Sequence, residues 1–188
     1  MKKREILKMP AVAVLALALF FVLPAQMEAQ TWASVSTGDG GAHTVAIRTD
    51  GSLWAWGSNM IGQLGDGTTI NRHRPVRIGL LWDGALVSAG TSHNVAVRRD
   101  GTLWAWGFNE SGQLGDGTGG GGFERPQGTR HVPVRIGLAS NWASVTASFS
   151  HTVAIRRDGS LWAWGSNSRG QLGDGSGYDS LSPVRIGP

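Results

Sequence analysis

The stretch His43-Thr-Val-Ala-Ile-Arg-Thr-Asp-Gly-Ser-Leu-Trp-Ala-Trp-Gly57 decides the fold, because it returns with few changes as His93 to Gly107 and again as His151 to Gly165. Each copy reads as a β-hairpin: two short runs rich in Val, Ile and Trp flank Asp-Gly, a dipeptide suited to the positive φ angles of a tight turn. A two-residue Asp50-Gly51 turn predicts that Ile47 faces Trp54, Val45 faces Trp56 and Ala46 faces Ala55. The same count gives Val97/Trp104, Val95/Trp106 and Ala96/Ala105, then Ile155/Trp162, Val153/Trp164 and Ala154/Ala163. Aliphatic/aromatic pairs of this kind each contribute roughly 0.2 to 1 kcal/mol relative to an Ala pair. One face of such a hairpin is bulky and the other small and apolar, which suits a sheet covered on both sides by neighbouring sheets.

The copies lie 50 residues apart from His43 to His93 and 58 apart from His93 to His151. Repetition at this length marks propellers or solenoids, in which one unit cannot bury its own faces and stacking makes the core. Each unit opens with a short strand (Trp32-Ala-Ser-Val35, Gly84-Ala-Leu-Val-Ser-Ala89, Trp142-Ala-Ser-Val145). The hairpin then leads to Asn59-x-x-Gly-Gln-Leu-Gly-Asp-Gly67, repeated from Asn109 and Asn167, and the unit closes with Pro75-Val-Arg-Ile-Gly79, repeated from Pro133 and Pro183. Four short strands per unit and no helical periodicity predict an all-β chain, a partial β-propeller of three four-stranded blades: residues 30–80, 81–138 and 139–188. The extra length of the second unit falls in a loop insert over 118–132, which runs through Gly119 to Gly122 and predicts a surface loop, flexible at its start.

Gly-Gln-Leu-Gly stands intact at 62–65, 112–115 and 170–173, and Gly-x-x-His at Gly40 to His43 and Gly90 to His93, whereas the third copy has Ser148-Phe-Ser-His151. Together with Trp-Gly-x-Asn at the hairpin exit, these residues closely resemble the regulator of chromosome condensation repeat family over residues 31 to 188. The resemblance implies a propeller with more blades than this sequence supplies. Closed propellers use about four to eight blades, and free sheet edges invite pairing. Self-association to complete a ring, or membership of a longer array, is therefore expected.

The N-terminus has a basic start, Met1 to Lys8, and an unbroken apolar run from Ala11 to Val22, the layout of a secretory signal peptide over residues 1–29. The run is short for a membrane span, which needs about 20 apolar residues. An N-terminal signal helix, an exported protein and no membrane contact after leader removal are expected. The leader takes Lys2, Lys3, Arg4 and Lys8 out of 17 basic residues and Glu5 and Glu28 out of 13 acidic ones, leaving a nearly neutral body with no dense basic stripe. Nucleic acid is not an expected partner. With no cysteine, stability must come from burial, and the nine tryptophans are its largest contributors.

No motif carries catalysis. Gly-x-Ser-x-Gly is absent, and the Asp-Gly turns at Asp66, Asp116 and Asp174 lack the alternating oxygen ligands of a calcium loop. One histidine per unit (His43, His93, His151) predicts a structural hydrogen bonder, as do Gln63, Gln113 and Gln171, with Trp56, Trp106 and Trp164 as core; no enzyme activity, cofactor or metal is expected. Positions that differ among the units are those the scaffold leaves free. They gather after Trp-Gly-x-Asn and before Pro-Val-Arg-Ile, and mark Met60, Ile61, Arg72, Arg74, Phe108, Glu110, Phe123, Arg125, Arg130, Arg169 and Tyr178 as candidate contacts to a protein partner. Apolar and aromatic groups mixed with Arg suit an interface core with a polar rim. The sequence thus predicts a non-enzymatic exported scaffold that binds protein through variable loops. The alternative is a structural or adhesive cell-envelope segment, with glycan binding as one use.

Overall fold

The computed structural model describes residues 31–38, 40, 42–120 and 128–187. The expected signal helix and two candidate contacts, Phe123 and Arg125, lie outside these residues.

Asp50 keeps a negative φ, since positive φ among the described residues is confined to glycine. The turn is therefore not a two-residue one. Gly51 N donates to Arg48 O at 2.9 Å and Arg48 N to Ser52 O at 3.0 Å, closing a three-residue Thr49-Asp50-Gly51 loop with only Gly51 left-handed at φ 81°. This is a type I turn followed by a glycine bulge. Asp50 Oδ1 holds it by accepting from Ser52 N at 2.9 Å and Ser52 Oγ at 2.6 Å.

The extra loop residue shifts every predicted pair by one and corrects the expected register. Ile47 faces Leu53, Ala46 faces Trp54, Val45 faces Ala55 and Thr44 faces Trp56. The other two hairpins pair identically: Ala96/Trp104, Val95/Ala105 and Asn94/Trp106, then Ala154/Trp162, Val153/Ala163 and Thr152/Trp164. Since side chains alternate, each sheet has one aliphatic face and one face where Trp stands beside Ala, Thr or Asn.

Three four-stranded antiparallel sheets result, each a simple meander. Blade 1 contains β1 (Trp32–Thr37), β2 (His43–Arg48), β3 (Leu53–Gly57) and β4 (Arg72–Ile78). Blade 2 contains β5 (Gly84–Ala89), β6 (His93–Arg98), β7 (Leu103–Gly107) and β8 (Arg130–Arg135). Blade 3 contains β9 (Trp142–Ala147), β10 (His151–Arg156), β11 (Leu161–Gly165) and β12 (Ser180–Ile186). No helix occurs among the described residues.

The core lies between blades. The aliphatic face of blade 1 (Val45, Ile47, Leu53, Ala55, Ile78) packs on the Trp face of blade 2 (Val87, Ala89, Ala96, Trp106). In the same way Val95, Val97, Leu103, Ala105 and Ile136 of blade 2 pack on Trp142, Val145, Ala147, Ala154 and Trp164 of blade 3. On the Trp face of every blade an arginine stacks between indoles. The Arg48 guanidinium lies 4.8 Å from Trp32 and 4.0 Å from Trp54, and Arg156 lies 4.6 Å from Trp142 and 3.9 Å from Trp162. Blade 2 has Gly84 where the others have Trp32 and Trp142, and Trp82 fills the place from two residues earlier, its ring 5.7 Å from Trp104 and 6.1 Å from Trp106. A Cβ on Gly84 would come 2.5 Å from Trp82 Nε1, so the glycine and the displaced indole require each other.

Candidate functional site

The repeated polar residues build the joints between blades. At the first joint, His43 Nε2 donates to Asn94 Oδ1 at 2.8 Å, and Asn94 Nδ2 donates to the Gln63 carbonyl at 2.6 Å. Trp106 Nε1 donates to that same carbonyl at 3.1 Å. At the second joint, Thr152 Oγ1 donates to Gln113 O at 2.8 Å and so accepts from His93 Nε2 at 3.1 Å, while Trp164 Nε1 donates to Gln113 O at 3.0 Å. These partners fix the Nε2–H tautomer of both imidazoles.

Gly-Gln-Leu-Gly is thereby explained. The Gln63 side chain closes its own loop, Oε1 accepting from Ile61 N at 3.1 Å and Nε2 donating to Ser58 Oγ at 3.2 Å, which turns its carbonyl toward the next blade. Gly65 follows with φ 77° where a Cβ would stand 2.7 Å from Trp106 Cδ1. The glycine before each histidine has a similar reason. A Cβ on Gly90 would strike the Ser148 carbonyl, and one on Gly38 would come 2.7 Å from Gly90 O. Gly38 N donates to His43 O as Gly90 N does to His93 O. In blade 1 that role therefore belongs to Gly38, on a loop two residues longer, and not to Gly40.

The three histidines are held neutral. Burial lowers His93 to about 3, with like-charge repulsion from His43 and His151 adding to it. Burial also lowers His43, partly opposed by its bond to Asn94, and lowers His151. Among the described residues no group of three or more His, Asp or Glu is placed to hold a metal ion.

A second repeated cluster anchors the long loop between the third and fourth strands. Asn59 Oδ1 accepts from Leu64 N at 2.9 Å, and its Nδ2 donates to Asp66 Oδ1 at 3.0 Å and Thr68 O at 3.0 Å. Asp66 also pairs with Arg72 at 2.7 Å, and Asp116 pairs with Arg130 in the same position. Burial opposes ionisation of both carboxyls. It is outweighed by bonds from Thr68, Arg72 and Asn59 on Asp66, and from Thr118 and Arg130 on Asp116, so both stay below the usual carboxylate range.

The structure sorts the sequence-marked contacts accordingly. Arg72 and Arg130 are held by Asp66 and Asp116, with about a third of each arginine side chain exposed. Phe108 is buried at the root of its loop, which corrects its assignment as a loop contact. Met60, Arg74, Arg169 and Tyr178 are exposed, and Ile61 and Glu110 half-buried. Except for Arg74, which stands on the edge strand β4, these lie in loops leaving the same end of the sheets, where the second strands begin and the third strands finish. Sequence reasoning passed over Phe149 at this end, 67% exposed in the turn before His151. Its signal was present, an aromatic residue where the equivalent turns carry small or polar ones. Also passed over were Leu80, Leu81 and Leu138, all exposed at the opposite end, after the fourth strands. Arg77 Nη2 donates to Leu80 O at 3.0 Å and Arg135 Nη2 to Leu138 O at 2.9 Å, so these turns repeat with the scaffold.

Two family models, both described as the regulator of chromosome condensation (RCC1) repeat, match the chain. One matches residues 32–60, 85–113 and 142–171, the other 50–97, 100–155 and 158–188. Among similar proteins, the ultraviolet-B receptor UVR8 of Arabidopsis thaliana is 32% identical over 78% of this chain and 32% of its own length. Human protein RCC2 is 35% identical over 81% of this chain and 19% of its own length. Yeast RCC1 (Prp20), solved bound to Kap60, superposes with TM-score 0.72 at 23% identity over 84% of this chain and 37% of that one. A second Prp20p structure from Saccharomyces cerevisiae gives TM-score 0.69 at 24% identity. The chain spans about a third of the length of the first of these relatives.

Proposed function

Because the chain belongs to the regulator of chromosome condensation repeat family, we propose that it is a non-catalytic, exported, protein-binding propeller segment that contacts its partner through the loops at the His43 end of its blades. The observation that carries this reading is the coincidence of exposure and divergence at that end. Met60, Phe149 and Tyr178 expose large apolar or aromatic side chains there; Glu110 and Ser168 stand in the place of Met60, Thr91 in that of Phe149, and Ile70, also exposed, in that of Tyr178. Beneath them the Gln63 and Gln113 carbonyls hold the two joints alike, and Asn59, Asn109 and Asn167 clamp the loops of all three blades. A rigid frame carrying divergent aromatic anchors suits protein recognition. The solved Prp20 structures, one a complex with Kap60 and the other described with its binding to Gsp1p and histones, support a protein-binding use of this fold. Export rests on the basic start and the apolar run Ala11 to Val22.

Photo-crosslinking decides the matter. A crosslinker at Met60 or Tyr178 is expected to capture a discrete protein from the native compartment, and one at Leu80 or Leu138 on the opposite end is not. Capture confined to the Leu80 end would overturn the assignment. Recovery of the full-length chain in the cell interior, with no mass change at its N-terminus, would overturn export.

A further inference from the structure

Blade 1 and blade 3 leave opposite halves of one joint unoccupied. Val35, on the Trp face of blade 1, is 64% exposed, whereas its counterparts Val87 and Val145 are 9% exposed. On the aliphatic face of blade 3, Ile155 is 42% exposed against 2% for Ile47 and 3% for Val97, and Leu161 is 38% exposed against 0% for both Leu53 and Leu103. Concavities of about 560 and 540 Å³ open at the two ends of that face, one beside Leu161 and Ile186, the other beside Phe149, His151 and Gln171.

We propose that these two faces join head to tail between two copies of this chain, reproducing the joint that blades 1, 2 and 3 already make with one another. The interior joints serve as the template, atom by atom. Gly84 N donates to Gly51 O at 2.9 Å and Trp142 N to Gly101 O at 3.1 Å. Blade 3 presents Gly159 O at the same place, and blade 1 presents Trp32 N. Ala89 N donates to Ser36 Oγ and Ala147 N to Ser88 Oγ, both at 3.0 Å, and the open faces hold Thr146 and Thr37 there. The hydroxyl of Thr152 sits between His93 and Gln113. Blade 1 has threonine at that same position, Thr44, to set between His151 and the Gln171 carbonyl of a second copy. Gln171 O would also receive Trp56 Nε1, which has no bond to another described residue.

The outer end of the joint matches too. Gly67 N donates to His131 O at 2.8 Å and Gly117 N to Leu181 O at 2.9 Å, leaving Gly175 N and His73 O as the corresponding pair. Gly173 offers the indole slot that Gly65 and Gly115 give to Trp106 and Trp164, with only Ile186 near its Cβ position at 3.6 Å. The joint takes in one cation, as the interior joints do: Arg48 lies over Trp32 and Trp54 on the Trp face of blade 1, where Arg98 and Arg156 stand in blades 2 and 3. Each copy has one half of each kind, so the contact is heterologous and closes only as a ring. Two copies of three blades supply six, within the range of about four to eight for closed propellers, whereas three copies exceed it. One residue departs from the template. Ser148 stands where Gly38 and Gly90 make room for a neighbouring carbonyl, so the joint between copies is wider at its inner end than the interior ones.

Light scattering on the exported chain and on single variants of it tests this. The wild type is expected at twice the mass of one chain. Val35→Arg blocks the Trp face and Ile155→Arg the aliphatic face. Both sites are exposed in the single chain, so each variant is expected to fold and to run as a monomer with unchanged β-sheet circular dichroism. Mixed in equal amounts, they retain one good face each and are expected to form a 1:1 pair, which nonspecific sticking would not do. Ser148→Gly is expected to tighten the wild-type dimer severalfold. A monomeric wild type at tens of micromolar overturns the proposal, as does dimerisation of either single variant or failure of the mixture to pair.

Discussion

Blade 2 and blade 3 have nearly the same strands, yet one is enclosed and the other is half open. Leu103 and Leu161 occupy equivalent places, and the first is fully buried while the second is 38% exposed. Nothing in either hairpin accounts for this; the neighbour does. In a stacked array stability belongs to the joints as much as to the repeats, so identical substitutions should cost different amounts in different blades.

The largest expected contrast is between Leu103→Ala and Leu161→Ala. Removing Leu103 leaves a cavity in the blade 2/3 core and should cost about 2–5 kcal/mol in urea unfolding, with Leu161→Ala costing less than half of that. If copies pair, the Leu161→Ala cost will grow with protein concentration and the Leu103→Ala cost will not. Equal costs at high dilution would break the comparison.

Acid comes next. His93 resists protonation down to about 3, while the unfolded chain takes up that proton near the ordinary value of about 6.5. The unfolded state therefore binds more protons between these limits. Stability is full above about pH 6.5 and falls as pH drops toward 3, by up to about 1.4 kcal/mol per pH unit from this residue. His93→Gln should flatten urea midpoints measured against pH, and His151→Gln should flatten them less, because His151 is only partly buried.

Gly101→Ala and Gly159→Ala sharpen the contrast at the turns. Both glycines are left-handed, φ 80° and 82°, so each alanine carries a backbone cost of about 1 kcal/mol. Only at Gly101 does the added methyl also meet a neighbour, the Ser140 carbonyl of the connection into blade 3; Gly159 faces open space. Gly101→Ala should therefore lower the melting temperature further. The smallest effect is expected for Arg130→Ser, which makes the loop clamp of blade 2 like that of blade 3, where Ser180 occupies the arginine position. The pair is partly exposed, and a loss of about 1 kcal/mol or less is expected.

Strand positions, blade number and the structural character of the repeated residues could be read from the sequence because each depends on short motifs seen three times. Register could not. Asp-Gly begins a two-residue or a three-residue loop according to whether Asp takes a positive φ, and Asp50 is held at negative φ by its bonds to Ser52. Trp82 was hidden because strand alignment sets Gly84 against Trp32, while the ring that fills the site comes from outside the strand. Arg72 and Arg130 looked like free loop cations because their carboxylate partners lie 6 and 14 residues away in sequence. Their shared position at the start of the fourth strand was the available clue that the scaffold uses them. Phe108 differs from Ser58 and Ser166, and difference alone does not distinguish a residue turned inward from one turned toward a partner.

The carbonyls of Gln63 and Gln113 give this chain a reporter of its own assembly. Each receives an indole N–H from the following blade, that of Trp106 or Trp164, and both rings are fully buried. Those two protons should exchange with deuterium only when a joint opens, while the indole proton of Trp56 exchanges freely. The exchange rates of the Trp106 and Trp164 indole signals in a proton NMR spectrum therefore report the two joints within the chain, and slowing of the Trp56 signal would mark the one that two copies make.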